Sequence, residues 1–258
     1  MTKKGASVSW LAPPERLMIN DGEVHIWRAA LEMTPPQLTS MVHILSADEL
    51  SRAGRYHFPK DRDCFIAARG LLRTILGRYV DKNPGDLLFS YGPNGKPELA
   101  GEAGGKFRFN VSHSHGLSLF AVTLNRKIGI DLEYIRPELA ADEFAEQVLS
   151  TRELLEFKAV PPHDRPVVFF DAWTRKEAYL KARGQGLSED LKQLEVAFPP
   201  GGRDEFPGMN GSGQAGFRWS LMDLTVPPEY AGAVVVEGQN LQFKFWQWEN
   251  QEQPVSFF

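Results

Sequence analysis

The chain has little cysteine, no long apolar run and little net charge, and each of these shortages excludes a class of protein. The single cysteine, Cys64, cannot form an intrachain disulfide or a Cys-x-x-Cys metal site, which favours a reducing compartment. The N-terminal stretch has two lysines but no apolar core, so we expect no signal peptide. No apolar run approaches the roughly 18 residues of a membrane span, so we expect a cytoplasmic protein without a membrane segment. The net charge of −4 argues against a nucleic-acid binder.

The rest of the composition is that of an ordinary globular protein, and its patterning predicts two similar halves. The 258 residues are 42% hydrophobic and 24% charged, which allows a sizeable core. Because helical patterns are followed by strand patterns twice, we predict an α+β fold of two half-domains, residues 18–125 and 126–250, with helices packed on small, mostly antiparallel sheets. The predicted helices cover residues 34–45, 61–80, 150–157 and 166–183, with a short helix opening at the capping box 46–49. The predicted strands cover residues 23–31, 87–92, 106–112, 117–124, 194–198, 217–224, 230–238 and 241–248.

The sequence RKIGIDLEYIRP, residues 126–137, also alternates like a strand. Residues 125–127 predict a tight turn that joins it to the strand 117–124 as a hairpin. A period of two places Asp131 and Glu133 on one face, with their side chains about 7 Å apart along the strand. Like charges at that spacing repel, so a metal ion, basic side chains or bulk water must lie between them.

The long helix 166–183 carries a second pair of charges at helical spacing. In WTRKEAYLK, Glu177 and Lys181 lie four residues apart on one face. A surface salt bridge worth a few tenths of a kcal/mol would explain that spacing by itself. However, the helix also has a dense apolar stripe, so it should be well packed, and charges beside such a core favour a functional role.

Two further patterns suit an anionic ligand, and each also has an ordinary structural explanation. In NVSHSHG, His113 and His115 could bind zinc with a carboxylate, or donate to a phosphate together with Ser112 and Ser114, or be inert loop residues. The basic run between Arg52 and Arg78 suits an anionic ligand or is simply a solvated helix face. The glycine pattern at 211–216 lies in the predicted loop 199–216 and leads into no helix, so it does not predict a dinucleotide site.

Taken together, these residues describe one site. Asp131, Glu133 and Glu177 provide the oxygen ligands that Mg²⁺ prefers. His113, Lys96 and Lys181 suit a polyphosphate, and Arg52 with its neighbours suits a second anionic group farther out. The combination predicts a Mg²⁺-assisted, phosphoryl-type transfer that uses a nucleotide-like substrate.

These residues also lie in motifs that resemble those of the 4′-phosphopantetheinyl transferases, specifically the longer Sfp-type class. The resemblance spans residues 95–188, with a weaker match back to about residue 46. It rests on four motifs in order: GKP at 95–97, NVSHS at 110–114, GIDLE at 129–133 and WTRKEAYLK at 173–181, followed by GQGLS at 184–188. The resemblance implies two pseudo-two-fold-related halves in one monomer.

The resemblance implies a reaction in which 4′-phosphopantetheine passes from coenzyme A to a serine of an apo acyl or peptidyl carrier protein, releasing 3′,5′-ADP. Glu177 would be the general base, Lys181 would stabilise the pyrophosphate, and Asp131 would act with the metal. The metal ligands implied for Mg²⁺ are Asp131, Glu133 and Glu177. The coenzyme A contacts implied are Arg52, Arg55, Lys96, Ser112, His113 and Lys181, with the arginines at the 3′-phosphate.

Two positions depart from the family pattern. Glu49 stands where relatives often have a basic residue near the 3′-phosphate, and Gln185 stands where they often have lysine. Three other functions remain open: another Mg²⁺-dependent nucleotide phosphotransferase or hydrolase, a coenzyme A-binding module without turnover, and a zinc protein using His113, His115 and Asp131.

Overall fold

The structure is a computed structural model that describes residues 8–92, 94–140, 142–184, 191–196, 203–205 and 219–249. Its helices are α1 Pro35–Ile44, α2 Ala47–Ala53, α3 Pro59–Val80, α4 Glu102–Lys106, α5 Asp142–Val148, α6 Thr151–Ala159 and α7 Arg165–Arg183. Its strands are β1 Glu23–Ala30, β2 Phe89–Tyr91, β3 Pro97–Leu99, β4 Phe107–Ser114, β5 Leu117–Leu124, β6 Ile128–Tyr134, β7 Arg203–Glu205, β8 Trp219–Asp223, β9 Tyr230–Glu237 and β10 Gln242–Gln247. The predicted α+β class is confirmed. No helix in the described part of the chain is long and apolar enough to cross a membrane.

The first sheet has the strand order β10-β1-β5-β4, and α3 covers one of its faces. Alternating side chains of β1 serve two cores, because successive residues of a strand point to opposite faces. Trp27 packs with Leu71 and Ile75 of α3, whereas Val24 and Ile26 face away from that helix. The two buried faces explain why β1 and β5 are apolar along almost their whole length.

The second sheet has the order β6-β9-β8-β7, and all its pairs are antiparallel. Ala233 and Val235 of β9 pack with Tyr179 of α7, while Val234 and Val236 face the first sheet. The apolar faces of the two sheets therefore meet in a shared core. The order of layers is helix, sheet, sheet, helix.

The predicted hairpin across residues 125–127 is wrong. β5 lies in the first sheet, whereas β6 pairs with β9 as an edge strand of the second. The turn is tight, and Asn125 has a φ of 54°, but the apolar face of β6 decides its partner. Ile130 and its neighbours on that face fill the core between the sheets, which they could not do as an extension of the first sheet.

Two smaller predictions also differ from the structure. Residues 194–196 of the predicted strand 194–198 form no strand, and the remaining two residues lie outside the described part of the chain. Within the predicted loop 199–216, residues 203–205 form β7, which pairs with β8. The glycine pattern at 211–216 and Gln185 lie outside the described residues.

The half-domain boundaries at residues 125 and 126 stay a prediction. The predicted division is crossed by one strand pair, since β10, from the end of the second half, pairs in parallel with β1 of the first half. The pairing runs in register from Glu23 with Gln242 to Arg28 with Gln247. The last described strand therefore completes the first sheet.

Candidate active site

The site lies where β4, an edge strand of the first sheet, runs beside β6, an edge strand of the second sheet. On β4, the even-numbered side chains point away from the α3 core and towards β6. Asn110 accepts a hydrogen bond through Oδ1 from the backbone N–H of Ile130, at 2.9 Å. Ser112 Oγ donates to Asp131 Oδ1, also at 2.9 Å. These side-chain bonds join the two sheets where no backbone ladder connects them.

The line of contacts between β4 and β6, which we call the seam, continues one step farther along β4. Ser114 Oγ donates to Glu133 Oε2 at 3.2 Å and accepts from the backbone N–H of Tyr134 at 3.1 Å. Because serines two residues apart on β4 contact acids two residues apart on β6, the register of the two strands fixes where both carboxylates lie. Ser114 was predicted only as a helper at a phosphate and Asn110 was given no role, although the period of two that both share with Ser112 was a visible signal.

A glycine lets α7 reach this seam. A Cβ added to Gly129 would lie 2.0 Å from the carbonyl oxygen of Ala178 and 2.4 Å from the backbone nitrogen of Ala182. Only a residue without a side chain fits against the helix backbone at that distance. The close approach places Glu177, one residue before Ala178, and Lys181, one residue before Ala182, beside the acidic face of β6.

Lys181 connects the helix to the strands. Its Nζ donates to Asp131 Oδ1 at 2.5 Å and to Ser112 Oγ at 3.0 Å. The other carboxylate oxygen of Asp131 and Oε1 of Glu177 are buried and have no hydrogen-bond partner among the described residues. Buried polar atoms normally have partners, so these two oxygens mark a place where something binds.

The electrostatics of the acids agree with that interpretation. Burial, reinforced by the negative charges of Asp131 and Glu133, raises the pKa of Glu177 to about 7, although Lys181 opposes the shift. Burial and the charge of Asp131 also raise the pKa of Glu133. The three carboxylates are therefore close enough to repel one another, and one ammonium does not neutralise them all.

The acids do not form a finished metal site. Among the residues that the structure describes, no three acidic, histidine or cysteine side chains are arranged to hold a metal ion. One oxygen of Asp131 is occupied by Lys181 and Ser112, and one of Glu133 by Ser114. The donor set nevertheless fits a hard divalent cation, because it offers carboxylate oxygens with unpaired buried atoms and excess negative charge.

The other basic residues predicted for the coenzyme A side of the site lie on α2, in the turn after it and on β4. His113 is exposed at the end of β4, yet partial desolvation and the positive charges of Lys181 and Arg52 lower its pKa. The guanidinium of Arg52 lies 5.3 Å from the ring centroid of Phe65. Arg55 is exposed in the turn after α2, and no hydrogen bond or ion pair between described residues joins its side chain to the site. The ring of His115 stacks on Tyr134 at 4.3 Å between centroids.

Lys96 is bound to backbone atoms of the site's framework. Its Nζ donates to the carbonyl oxygens of Ile128 at 3.0 Å and Lys181 at 2.6 Å. Burial and nearby positive charges lower the pKa of Lys96 to about 8. Beside it opens a groove of about 200 Å³, whose lining includes Arg108 and Lys127. Lys96 therefore joins the start of β6 to the last turn of α7.

Glu49, which departs from the family pattern, is buried and accepts from Arg69 and Arg73 of α3, the second at 2.6 Å. Burial alone would raise its pKa, but the bonds from Arg73 and the backbone of Ser46, with the charge of Arg69, keep it below the usual value. This carboxylate therefore holds α2 on α3.

A buried ion pair that was not predicted from the sequence lies on the helix that carries Glu177. Lys176, fully buried on α7, donates through Nζ to Glu153 Oε2 at 2.6 Å and to two carbonyl oxygens. Glu153 also accepts from the backbone N–H groups of Ser150 and Val196. The pair fixes α6 and residues 191–196 against the helix that carries Glu177.

The fold and site define a class of protein, one that brings carboxylates and a lysine together at a junction between two sheets, where a divalent cation and an anionic group could bind. Comparisons with known proteins identify that class more closely. Residues 127–235 match the family model for the 4′-phosphopantetheinyl transferase superfamily, and residues 29–124 match the model for the N-terminal part of a 4′-phosphopantetheinyl transferase.

Relatives with the same description match most of the chain. The 4′-phosphopantetheinyl transferase HetI of Nostoc sp. is 40% identical over 239 residues, which are 92% of this chain and 98% of HetI. The putative 4′-phosphopantetheinyl transferase slr0495 of Synechocystis sp. is 35% identical over 62% of this chain and 65% of its own length. Sfp of Bacillus subtilis is 26% identical over 62% of this chain and 69% of Sfp. The solved holo-[acyl-carrier-protein] synthase of Thermotoga maritima is 25% identical over 43% of this chain and 62% of that one, with a TM-score of 0.31, too low to support an argument about fold.

The chain belongs to the 4′-phosphopantetheinyl transferase superfamily, and its similarity to HetI covers both halves. It is therefore an enzyme that transfers 4′-phosphopantetheine from coenzyme A to a carrier protein.

Proposed function

We propose that the chain transfers the 4′-phosphopantetheine arm of coenzyme A to a serine hydroxyl of an apo acyl or peptidyl carrier protein. The reaction is Mg²⁺-dependent and releases 3′,5′-ADP. The observation that carries the proposal is the pair of buried carboxylate oxygens without partners, on Asp131 and Glu177, beside the ammonium of Lys181. We also propose a monomer, because one chain supplies the three acids and Lys181. The single cysteine supports a cytoplasmic location, and the net charge of −4 argues against a nucleic-acid partner.

Asp131, Glu133 and Glu177 are the residues that would hold Mg²⁺. When bound, the ion would neutralise negative charge on the pyrophosphate of coenzyme A. The seam supports these ligands, since Ser112 and Ser114 fix one oxygen of Asp131 and one of Glu133. The remaining oxygen of Asp131 and Oε1 of Glu177 are then available as ligands.

Lys181 would bind the pyrophosphate. An ammonium has three N–H donors, and two of those on Nζ point to Asp131 and Ser112. The third can donate to a phosphate oxygen, and the positive charge favours the developing charge of the leaving group. Because the other two N–H groups bind Asp131 and Ser112, Nζ is already in position before the phosphate binds.

Glu177 would accept the proton of the carrier serine, directly or through one water. The serine oxygen forms a bond to the phosphorus that carries the pantetheine arm, and the bond from that phosphorus to the bridging oxygen breaks. The electron pair leaves with 3′,5′-ADP. Without a bound ion, burial and the neighbouring acids raise the pKa of Glu177 to about 7, so its affinity for a proton is high for a carboxylate; a bound Mg²⁺ would lower that pKa and keep the group deprotonated before the transfer.

The outer phosphates of coenzyme A would lie on the basic side of the site. His113 at the end of β4 would contact them, and Arg52 with Arg55 would meet the 3′-phosphate. The contact between Ser112 and a phosphate stays a prediction, and the single O–H of Ser112 already donates to Asp131. The positive charge of Arg52 lowers the pKa of His113, which supports a common anion site for the two side chains. The contact between Lys96 and a phosphate stays a prediction, and two of its three donors already bind carbonyl oxygens.

The test is intact-mass spectrometry on apo carrier proteins incubated with the chain, coenzyme A and Mg²⁺. We expect one carrier in a panel to gain the mass of the arm at a serine, and 3′,5′-ADP to appear in equal amount. Glu177→Gln should abolish the gain, whereas Glu146→Gln, an exposed acid on α5, should not. Nucleotide release without a mass gain would favour a hydrolase, and coenzyme A binding without either product would favour a binding module.

A further inference from the structure

The turn between β4 and β5 borders the site, and its backbone is of an uncommon kind. Its two residues, His115 and Gly116, both have a positive φ, of 45° and 83°. This is the φ pattern of a type I′ turn, which suits a two-residue hairpin and is usually built from asparagine, aspartate or glycine. A positive φ is uncommon for any residue other than glycine, so contacts from outside the turn are expected to hold His115 in place.

Both carbonyl oxygens of this turn accept hydrogen bonds from other parts of the fold. The hydroxyl of Tyr230, on β9 of the second sheet, donates to the carbonyl oxygen of His115 at 2.8 Å. The backbone N–H of Leu31, which follows β1 in the first sheet, donates to the carbonyl oxygen of Gly116, also at 2.8 Å. The turn is therefore tied to both sheets, and the hydroxyl of Tyr230 ties His115 to the second.

Three aromatic rings add a further connection between the turn and β6. The His115 ring stacks on the ring of Tyr134, with 4.3 Å between the centroids and 20° between the ring planes. The Tyr230 ring meets the same Tyr134 ring edge-on, with 5.3 Å between the centroids, and the two tyrosines are direct partners in the pairing of β6 with β9. Stacked and edge-on rings are favourable arrangements. The turn therefore has a fixed position relative to Tyr134, the residue that follows Glu133.

The position of the turn decides what Ser114, the residue before it, can reach. Ser114 Oγ accepts from the backbone N–H of Tyr134 at 3.1 Å and donates to Glu133 Oε2 at 3.2 Å. A hydroxyl has one proton, and here that proton goes to the carboxylate. The bond to Glu133 is longer than the usual O–H···O distance of about 2.7–2.8 Å, so a small movement of the turn would break it.

We propose that Tyr230 and His115 are positioning residues, which orient Glu133 as a ligand of the divalent cation. The Tyr230 hydroxyl holds the turn, the His115 ring sets the turn against Tyr134, and the turn then presents Ser114 to Glu133. The bond from Ser114 occupies Oε2 of Glu133 and leaves Oε1 for the cation. The inference rests on the proposed function, which makes Glu133 a ligand of Mg²⁺. Loss of a partner that orients a metal ligand typically weakens metal affinity by about 10- to 100-fold.

The test is calorimetric titration of Mg²⁺ into the chain, beside a urea melt of each variant and the KM for Mg²⁺ in the transfer assay. Tyr230→Phe removes only the hydroxyl, and we expect it to raise the Mg²⁺ dissociation constant at least about threefold. Ser114→Ala removes the bond to Glu133 itself and should raise the constant about tenfold. In both variants the KM for Mg²⁺ should rise by the same factor, and saturating Mg²⁺ should return kcat to near its wild-type value.

His115→Asn separates the contribution of the ring from that of the turn. Asparagine followed by glycine is a preferred type I′ pair, so the backbone of the turn should survive while the stack on Tyr134 is lost. We expect the Mg²⁺ dissociation constant to rise as it does in Tyr230→Phe. An unchanged constant would overturn the assignment of His115.

Tyr79→Phe is the matched control, because it removes a bonded tyrosine hydroxyl elsewhere. That hydroxyl, on α3, accepts from Trp27 Nε1 at 2.9 Å and lies 2.7 Å from His25 Nδ1. Its loss should lower stability in the urea melt and leave Mg²⁺ binding unchanged. The same result for Tyr230→Phe would make its contact a purely structural one and overturn the proposal. A wild-type chain that binds no Mg²⁺ would instead overturn the metal site of the proposed function.

Discussion

Replacing Gly129 by alanine tests whether close packing of α7 on β6 is what assembles the site. The added Cβ would lie 2.0 Å from the carbonyl oxygen of Ala178, and real Cβ contacts are essentially never under 3.0 Å. Because the obstacle is helix backbone, α7 must retreat by about 1 Å, and overpacking of that kind costs about 1–3 kcal/mol. The bond from Lys181 Nζ to Asp131, now 2.5 Å long, would lengthen to about 3.5 Å, the outer limit of a hydrogen bond.

We expect Gly129→Ala to lower kcat by about 100-fold, the size of loss that a 1 Å misplacement can cause. The assay is single-turnover transfer with saturating coenzyme A and carrier, beside a urea melt. Gly232→Ala on β9 is the control, since its added Cβ would approach the nearest backbone atom only to 3.3 Å. We expect that control to retain most of its activity. A Gly129→Ala enzyme with kcat within a factor of about three of the wild type would refute the packing argument.

Three further predictions concern the charged groups around the site. Lys96→Met should lower the free energy of unfolding by about 2–3 kcal/mol without coenzyme A present, because two carbonyls lose a charged donor; an unchanged urea melt with a raised KM for coenzyme A would contradict this. Lys176→Met should cost about 3–5 kcal/mol, since Glu153 would be left charged and buried, and adding Glu153→Gln should recover part of the loss in the same melts; a cost below about 1 kcal/mol would count against the buried pair. Without divalent ions, the free energy of unfolding should fall as pH rises from 4.5 to about 7, because folded Glu177 keeps a proton that the unfolded chain releases. Glu177→Gln should flatten that slope, Mg²⁺ should restore stability above pH 7, and identical slopes for the two proteins would exclude Glu177 as the titrating group.

Local pattern was sufficient to predict the elements that carry the site. The predicted helix 166–183 is α7, Arg165–Arg183, and the alternation around Asp131 does form a strand. These segments were predictable because their apolar residues repeat with a single period that one core satisfies. The common face of Asp131 and Glu133 follows from the same alternation, and the hydroxyl groups of β4 meet both residues there.

Contacts between distant segments could not be read from the sequence. Lys96 binds carbonyls 32 and 85 residues away, and neither bond leaves a local signal. The partner strand of β6 was predicted wrongly for the same reason, since turn chemistry at Asn125 is local whereas the choice of sheet depends on which core the strand fills. Lys176, in the same helix motif as Glu177, was passed over although its partner Glu153 lies only 23 positions earlier.

The parallel pairing of β10 with β1 has a consequence for how this chain could be divided. A fragment ending at residue 125 would lack β10 and would expose the backbone N–H and C=O groups along one side of β1, a template for uncontrolled association. The complementary fragment would carry an orphan strand with no sheet of its own. Splitting the gene between the halves should therefore yield two pieces that need each other to fold, which suits the chain to reconstitution from co-expressed parts rather than to use as separate modules.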